Sequence, residues 1–447
     1  MEAQATQGVD QSLMRRAITA CAIGNATEWF DYTTYGFLAI ILGGVFFPSE
    51  DPTVSLLSSF AVFGAAFVAR PFGGLFFGPL GDKLGRQRIL ATTILLMAGA
   101  TFAVGLLPGY ATIGIWAPIL LVLLRLLQGF SAGGEYGGAS TFMAEYAPDD
   151  RRGFWTSWLE FGSLTGYFVG AGLATLLTVV LSDGVMSSWG WRVPFLLAGP
   201  LGVIGLYLRL KLQDTPVFTA LEEAGEVEES PLRDTFVYAW RPMLLLAGIS
   251  MITNVGNYIL LTYMVSYLQN NLDVGSTTAL LVTFIAIILM MAVIWRVGSL
   301  SDRFGRKTML TAGSVGFIVF AYPAFWFISL GNWATTLLGM LILALCLVLI
   351  LGTIPSTLPA LFPTEVRYSG FAVSYNISVA LFGGTAPFVA GYLVSATGSN
   401  YAPAFYLMGV AAVALIPILL SPETARQPLR SGLESPSEPD PVAAGDR

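Results

Sequence analysis

Histidine is absent from all 447 residues, and cysteine occurs twice, at Cys21 and Cys346. Without imidazole there is no Ser–His–Asp or Cys–His catalysis and no His-ligated metal. Two cysteines inside apolar runs give neither a disulfide framework nor a Cys-based metal site. Charge is scarce as well: Asp, Glu, Lys and Arg make up 11% of the chain, against roughly 25% in a soluble protein. So few charges do not cover a water-soluble body of this size. The net charge is −6 and no polybasic tract occurs, so nucleic acid is not an expected partner. No GxxxxGK[ST] loop is present, so ATP drive has no support, and no cofactor is implied.

What is abundant is apolar. The set AVILMFWYC reaches 55% before 49 glycines are added. The apolar runs are long and lack the ten-residue alternation of a membrane barrel, so the chain is expected to cross a bilayer as helices. A span needs about 20 apolar residues. Twelve candidates follow, at about 17–44, 55–79, 89–107, 115–145, 154–182, 193–211, 242–268, 277–297, 308–329, 333–360, 369–395 and 402–421. Arg15 and Arg16 precede a run too long for a signal peptide, so the first span is expected to be retained. The expected organisation is an N-terminus (1–16), a six-helix half (17–211), a central loop (212–241), a second six-helix half (242–421) and a disordered tail (422–447). The central loop carries Glu222, Glu223, Glu226, Glu228 and Glu229.

Nineteen of the 22 Lys and Arg fall at the N-terminus, in the even-to-odd loops with the adjoining span ends, and in the tail. The opposite side has Arg192, and Arg70 and Arg125 lie within spans, Arg70 toward the basic end of the second. The positive-inside rule then puts both termini in the cytoplasm.

The halves repeat. Gly78-Pro-Leu-Gly-Asp82-Lys-Leu-Gly85-Arg86 follows the second span, and Gly298-Ser-Leu-Ser-Asp302-Arg-Phe-Gly305-Arg306 follows the eighth, 220 residues later. A second pair, around Arg151-Arg152-Gly153 and Arg367-Tyr-Ser-Gly370, follows the fourth and tenth spans. Duplication of a six-helix unit is the simplest source. The expected fold is an all-α membrane protein of twelve helices, in two halves related by pseudo-two-fold symmetry, with solute held between them. In each loop the glycine allows a tight reversal. The aspartate can pair across a seam or cap a helix, acting as a latch that holds one conformer. An ordinary basic turn is the plainer alternative.

A charge at mid-span costs roughly 2.5–3.5 kcal/mol or more, so each needs a reason. Glu28, Asp31, Tyr32 and Tyr35 share one face of the first span, and Arg125 and Glu135 lie in the fourth. If these two spans face one cavity, Asp31 can meet Arg125 and Glu28 can approach Glu135. In a chain without histidine the proton carrier is expected to be a carboxylate: Asp31, Glu135 or Glu28. A static ion-pair network is the alternative. Glu160 is expected at the interface. The Gly162/Gly166/Gly170 stripe is expected to serve helix packing. Among the aromatics, Trp29, Tyr32 and Tyr35 share a span with the charges. Asn254, Tyr258 and Tyr263 in the seventh span, with Tyr375 and Asn376 in the eleventh, recur in polar company.

The two GxxxDxxGR loops resemble the signature of the major facilitator superfamily. Gly24-Asn25-Ala-Thr-Glu28-Trp29-Phe30-Asp31 and Arg125-Leu-Leu-Gln128-Gly129-Phe-Ser-Ala-Gly133-Gly134-Glu135-Tyr136 resemble motifs of its metabolite–proton symporter family. Thr253-Asn254-Val-Gly-Asn-Tyr258, Tyr375-Asn376-Ile-Ser378 and Glu423-Thr-Ala-Arg-Gln-Pro-Leu are similar to the proline and glycine betaine carriers within it. The resemblance implies a multi-pass inner-membrane transporter, not an enzyme. It implies import of a small zwitterionic osmolyte such as proline, glycine betaine or ectoine, with protons as the coupled partner and the lipid bilayer as solvent. Such a solute needs a fixed cation for its carboxylate and aromatic faces for its own cation. Arg125 suits the first, and Trp29, Tyr32, Tyr35, Tyr258, Tyr263 and Tyr375 are candidates for the second. A proton symporter of an organic acid such as a dicarboxylate, and a non-transporting receptor on the same scaffold, remain as alternatives. The short Pro-rich tail is not expected to form the C-terminal coiled coil of long-tailed members.

Overall fold

The computed structural model describes residues 11–224 and 231–429. It is helical throughout, with no strand among the described residues. The first half holds α1 (Gln11–Phe37, continued by Ala39–Phe46), α2 (Pro52–Leu84), α3 (Arg86–Leu106), α4 (Trp116–Tyr146), α5 (Arg152–Val180) and α6 (Arg192–Leu210). The second holds α7 (Trp240–Asn257, a π turn Tyr258–Tyr263, then Met264–Leu272), α8 (Ser276–Phe304), α9 (Arg306–Ser329) and α10 (Trp333–Leu351). It ends with α11 (Arg367–Ser378, a π turn Val379–Gly383, then Ala386–Thr397) and α12 (Ala402–Leu420). Eleven of the twelve, α2 to α12, are long and apolar enough to cross a membrane. The exception, α1, carries Glu28, Asp31 and the polar stretch before them.

The boundaries depart from expectation where backbone chemistry intervenes. α2 runs past the apolar stretch to Leu84 and stops at Gly85, whose φ of 96° ends the helix. The span expected over 333–360 loses regular geometry after Leu351, where Gly352, Pro355 and Pro359 interrupt the hydrogen-bond ladder. α1 begins at Gln11, so Arg15 and Arg16 are already helical. The central connection contains two short helices, Pro216–Ala224 and Pro231–Tyr238. Glu226, Glu228 and Glu229 lie outside the described residues. So does the tail from residue 430, but its first residues are anchored: Glu423 accepts from the Arg306 and Lys307 amides, and Arg152 donates to the Gln427 carbonyl. The tail expected to be disordered is therefore docked at its start.

Small residues let the helices touch backbone to backbone. A Cβ on Gly162 would lie 2.3 Å from the Ala22 carbonyl oxygen, and one on Gly166 would lie 2.1 Å from that of Ala26. Between the halves, α2 packs on α11 and α5 on α8. These contacts run from the edge that carries the basic loops, called here the basic side, to mid-membrane. Beyond that depth, Met264–Leu272 and Ala386–Thr397 pack chiefly within their own half. Ser266 and Asn270, four residues apart on α7, stay exposed there, while Thr262, one turn nearer mid-membrane, still reaches Tyr167 of α5. The molecule is shut on the basic side and parted on the far side.

Candidate functional site

Polar side chains inside the spans form three networks at different depths. Deepest toward the far side, Arg125 pairs with Asp31 at 2.8 Å, and Gln128 donates to both Asp31 (2.9 Å) and Thr101 (2.8 Å). The Arg125 guanidinium lies 4.4 Å from the centre of the Tyr35 ring and 5.4 Å from that of Tyr32. Its Nε and Nη2 have no hydrogen-bond partner among the described residues. The helical face of α1 that carries Asp31 thus meets Arg125 of α4.

At mid-membrane, Glu28 pairs with Arg70 at 2.8 Å. The same guanidinium donates to Asn376 Oδ1 at 3.1 Å, and Asn376 donates to the Gly133 carbonyl. This bridge ties α1, α2 and α4 of one half to α11 of the other. Glu28 Oε2 is buried without a partner. Arg70 was placed by sequence toward the basic end of its span. It lies instead at the junction of the halves, 5.7 Å from the Tyr32 ring, so Tyr32 stands beside both guanidiniums.

The third network surrounds Glu135. Glu28 is paired with Arg70 and stays within electrostatic reach of Glu135. Glu135 is paired with Arg209 of α6, with Nη1 to Oε2 at 2.8 Å, and accepts from the Thr93 hydroxyl at 2.7 Å. All three belong to the first half, and Tyr368 of α11 donates to the Gly134 carbonyl beside them. Arg209 had counted as a basic residue at a span end, yet it is 1% exposed.

The rings sort in the same way. Trp29 packs on Tyr258 at 5.9 Å, Phe67 on Tyr258 at 5.6 Å and on Tyr32 at 5.4 Å. Tyr375 stacks on Tyr136 across the junction at 4.4 Å. These surround the Glu28–Arg70 bridge. Three expected residues are not brought there. Tyr35 donates to the Ser59 carbonyl within the first half, Asn254 donates to Ser378 within the second, and Tyr263 packs on Tyr267. Phe67 joins the site unnamed by the sequence reading, and Tyr136, Gln128 and Arg70 join it without having been given a role there; for Arg70 the signal is a guanidinium inside an apolar run.

On the basic side the two loop aspartates do the same thing in each half. Asp82 of α2 accepts from the Tyr368 and Ser369 amides at 3.2 and 2.8 Å and from the Ser369 hydroxyl at 2.6 Å, capping α11. Asp302 of α8 accepts from the Gly153 and Phe154 amides at 2.7 and 2.9 Å, capping α5. Each carboxylate therefore caps a helix of the opposite half. Arg86 stands 3.3 Å from Asp82 and 3.5 Å from Glu145, which also binds Arg367 at 2.7 Å. Arg306 stands 3.7 Å from Asp302. Gly85 and Gly305 adopt φ of 96° and 98°, values that exclude most side chains. Gly78 brings α2 close enough that a Cβ would sit 2.9 Å from Ser369 Cα. Asp214 caps α3 through the Arg86 and Gln87 amides as Glu423 caps α9. Burial pushes the Asp214 carboxyl above the usual range, against the pull of those amides.

Residues 22–384 match the family model described as Major Facilitator Superfamily. The chain is 46% identical over 439 residues to the glycine betaine/proline/ectoine/pipecolic acid transporter OusA of Dickeya dadantii, covering 96% of this chain and 87% of that one. It is 46% identical to the proline/betaine transporter of Escherichia coli K12, with 96% and 88% covered. The ectoine/proline transporter ProP of Corynebacterium glutamicum is 39% identical, with 93% and 85% covered. Among solved structures, the proton:xylose symporter XylE bound to a bromo-deoxyglucose superposes with a TM-score of 0.77 at 15% identity, covering 94% and 98%. The inward-open form of XylE from E. coli superposes less well, at 0.66, covering 92% and 97% at 15% identity. The chain belongs to the Major Facilitator Superfamily and is a multi-pass membrane transporter.

Proposed function

We propose that the protein imports a small zwitterion of the proline, glycine betaine and ectoine class by proton symport, with the basic side and both termini in the cytoplasm. The observation that carries this is the polar path formed by the mid-membrane junction and the network just beyond it toward the far side. Two carboxylates and two guanidiniums, Glu28 with Arg70 and Asp31 with Arg125, are balanced in charge and walled by Trp29, Tyr32, Phe67 and Tyr258. A net-neutral solute with separated charges suits a net-neutral site of this kind. Aromatic faces attract a quaternary cation by about 0.5–2 kcal/mol each.

Coupling follows from the occupied guanidinium. Asp31 holds Arg125, and a proton on Asp31 weakens that hold and frees the fork for a substrate carboxylate. Relatives named for proline, betaine and ectoine support the substrate class. The cytoplasmic assignment rests on the Lys and Arg bias. One observation favours a second reading. Arg70 supplies the second cation that a dicarboxylate needs, although Glu28 already neutralises it. Uptake into proteoliposomes under an imposed inward proton gradient tests both readings. Labelled proline and betaine should accumulate and cross-compete while succinate does not. Succinate competing as well as betaine would transfer the assignment to the organic acid.

A further inference from the structure

Seven carboxylates are buried among the described residues, and six of them, Glu28, Asp31, Asp82, Glu135, Glu145 and Asp302, stand within 4 Å of an arginine. Glu160 of α5 is the seventh. It is 4% exposed, and no Lys or Arg among the described residues pairs with it. Its Oε1 accepts from the Tyr136 hydroxyl of α4 at 2.5 Å, and the Ser163 hydroxyl is its other polar neighbour. The sequence had placed it at the membrane surface. It lies instead at the junction, because Tyr136 is the ring on which Tyr375 of the second half stacks at 4.4 Å and 18°.

The surroundings offer no compensating charge. From α1, Glu28 faces it, a like charge that Arg70 holds. From α4 come Tyr136 and, on the adjoining face, Glu135 with its charge taken by Arg209. From α8, Asp302 binds at Gly153, two turns nearer the basic edge. The short helical turn that follows α10, Ile354–Thr357, has no titratable side chain. From α11 comes Tyr375. A carboxylate stripped of water and left without a cation is costly to keep ionised.

The geometry points to Glu160 as a proton-carrying residue of the transport cycle, protonated while the halves are shut over it and ionised when they part on the basic side. The inference rests on the proton-symport reading above. The proton binds one carboxylate oxygen and takes the charge from −1 to 0. When it leaves, the Tyr136 hydroxyl donates to the anion. Tyr136 is a positioning residue in this scheme, and its stack on Tyr375 makes the state of the carboxyl sensitive to separation of the halves. Opening on the basic side unstacks the pair and admits water to Glu160, which favours release of the proton there.

The test uses the full chain in proteoliposomes, with labelled proline as probe. Wild-type protein should accumulate proline under a proton gradient, and its proline exchange should vary with pH. Failure of that first step overturns the symport reading, and this inference with it, before any variant is compared. In Glu160→Gln, accumulation should fall to the level seen without a gradient, and adding Tyr136→Phe should no longer move the midpoint of the remaining exchange, which Asp31 then sets. In Tyr136→Phe the carboxylate loses its donor, so the midpoint of the exchange–pH curve should move up by about one pH unit. Wild-type accumulation by Glu160→Gln, or an unmoved midpoint in Tyr136→Phe, overturns the inference.

Discussion

Replacing Glu135 by Gln removes one partner of a buried pair and leaves the Arg209 guanidinium uncompensated at 1% exposure. Breaking such a pair costs about 3–5 kcal/mol. A lowered melting temperature in detergent is the expected result, with partial recovery when Arg209 is also replaced by Met. Asp31 shares that cost, because Arg125 is itself 0% exposed and would keep only Gln128 Oε1 as an acceptor. Asp31→Asn is isosteric but removes the carboxylate, so the melting temperature should fall and proton-driven accumulation should be lost while proline exchange persists. Arg125→Lys keeps the charge and removes the fork, and uptake should fall at least about tenfold. If Glu135→Gln melted like wild type and also failed to accumulate substrate, Glu135 would return to the coupling site. The pairing of Asp31 with Arg125 was readable because helical spacing gave the face and elimination gave the partner. Arg70 and Arg209 were not. Counting basic residues by side assigns every arginine near a span end to water, and only packing reveals that a buried carboxylate has claimed it.

At the scale of the helix, the close approach of α1 and α5 depends on glycines whose absent Cβ atoms are occupied by a neighbouring backbone. Gly166→Ala would set a Cβ 2.1 Å from the Ala26 carbonyl. A rigid backbone cannot yield, so the helices must separate, at a cost of about 1–3 kcal/mol. Gly172 is on the same helix with nothing within 4 Å of its missing Cβ. Gly172→Ala should be neutral or stabilise by up to about 1 kcal/mol, because alanine loses less backbone freedom. Parallel melting curves of the two variants decide the matter, and equal destabilisation would contradict the packing account. The Gly162/Gly166/Gly170 stripe was visible as a four-residue repeat. The breaks within α7, α10 and α11 were not. Hydrophobic runs report that a segment is buried in apolar surroundings, not whether its ladder is continuous. Gly352, Pro355 and Pro359 could have marked the end of α10, but nothing in Tyr258–Tyr263 marks a π turn.

At the scale of the whole molecule, the paired loops set which side is open. Asp82 and Asp302 each cap a helix of the opposite half, so both caps exist only while the basic side is shut. Each is a charged group accepting from backbone amides, and losing one costs about 1–2 kcal/mol of the shut state. That corresponds to a roughly five- to thirty-fold shift toward the state open on that side. Asp82→Asn should therefore slow transport by about that factor without changing which solutes compete, since Asp82 touches the seam and not the aromatic site. Asp302→Asn should do the same, because the duplication gives it the same task. A cysteine placed at Ser266, on the exposed outer stripe of α7, supplies the readout once Cys21 and Cys346 are replaced. Its labelling by a membrane-impermeant maleimide should slow in either variant as the far side closes more often. A reporter fused after Arg447 gives the direction, because it should stay on the cytoplasmic face while the maleimide reaches Ser266 from the other. Faster labelling in Asp82→Asn would mean that the caps favour the opposite conformer, and a changed competition profile at unchanged rate would place Asp82 in the solute path.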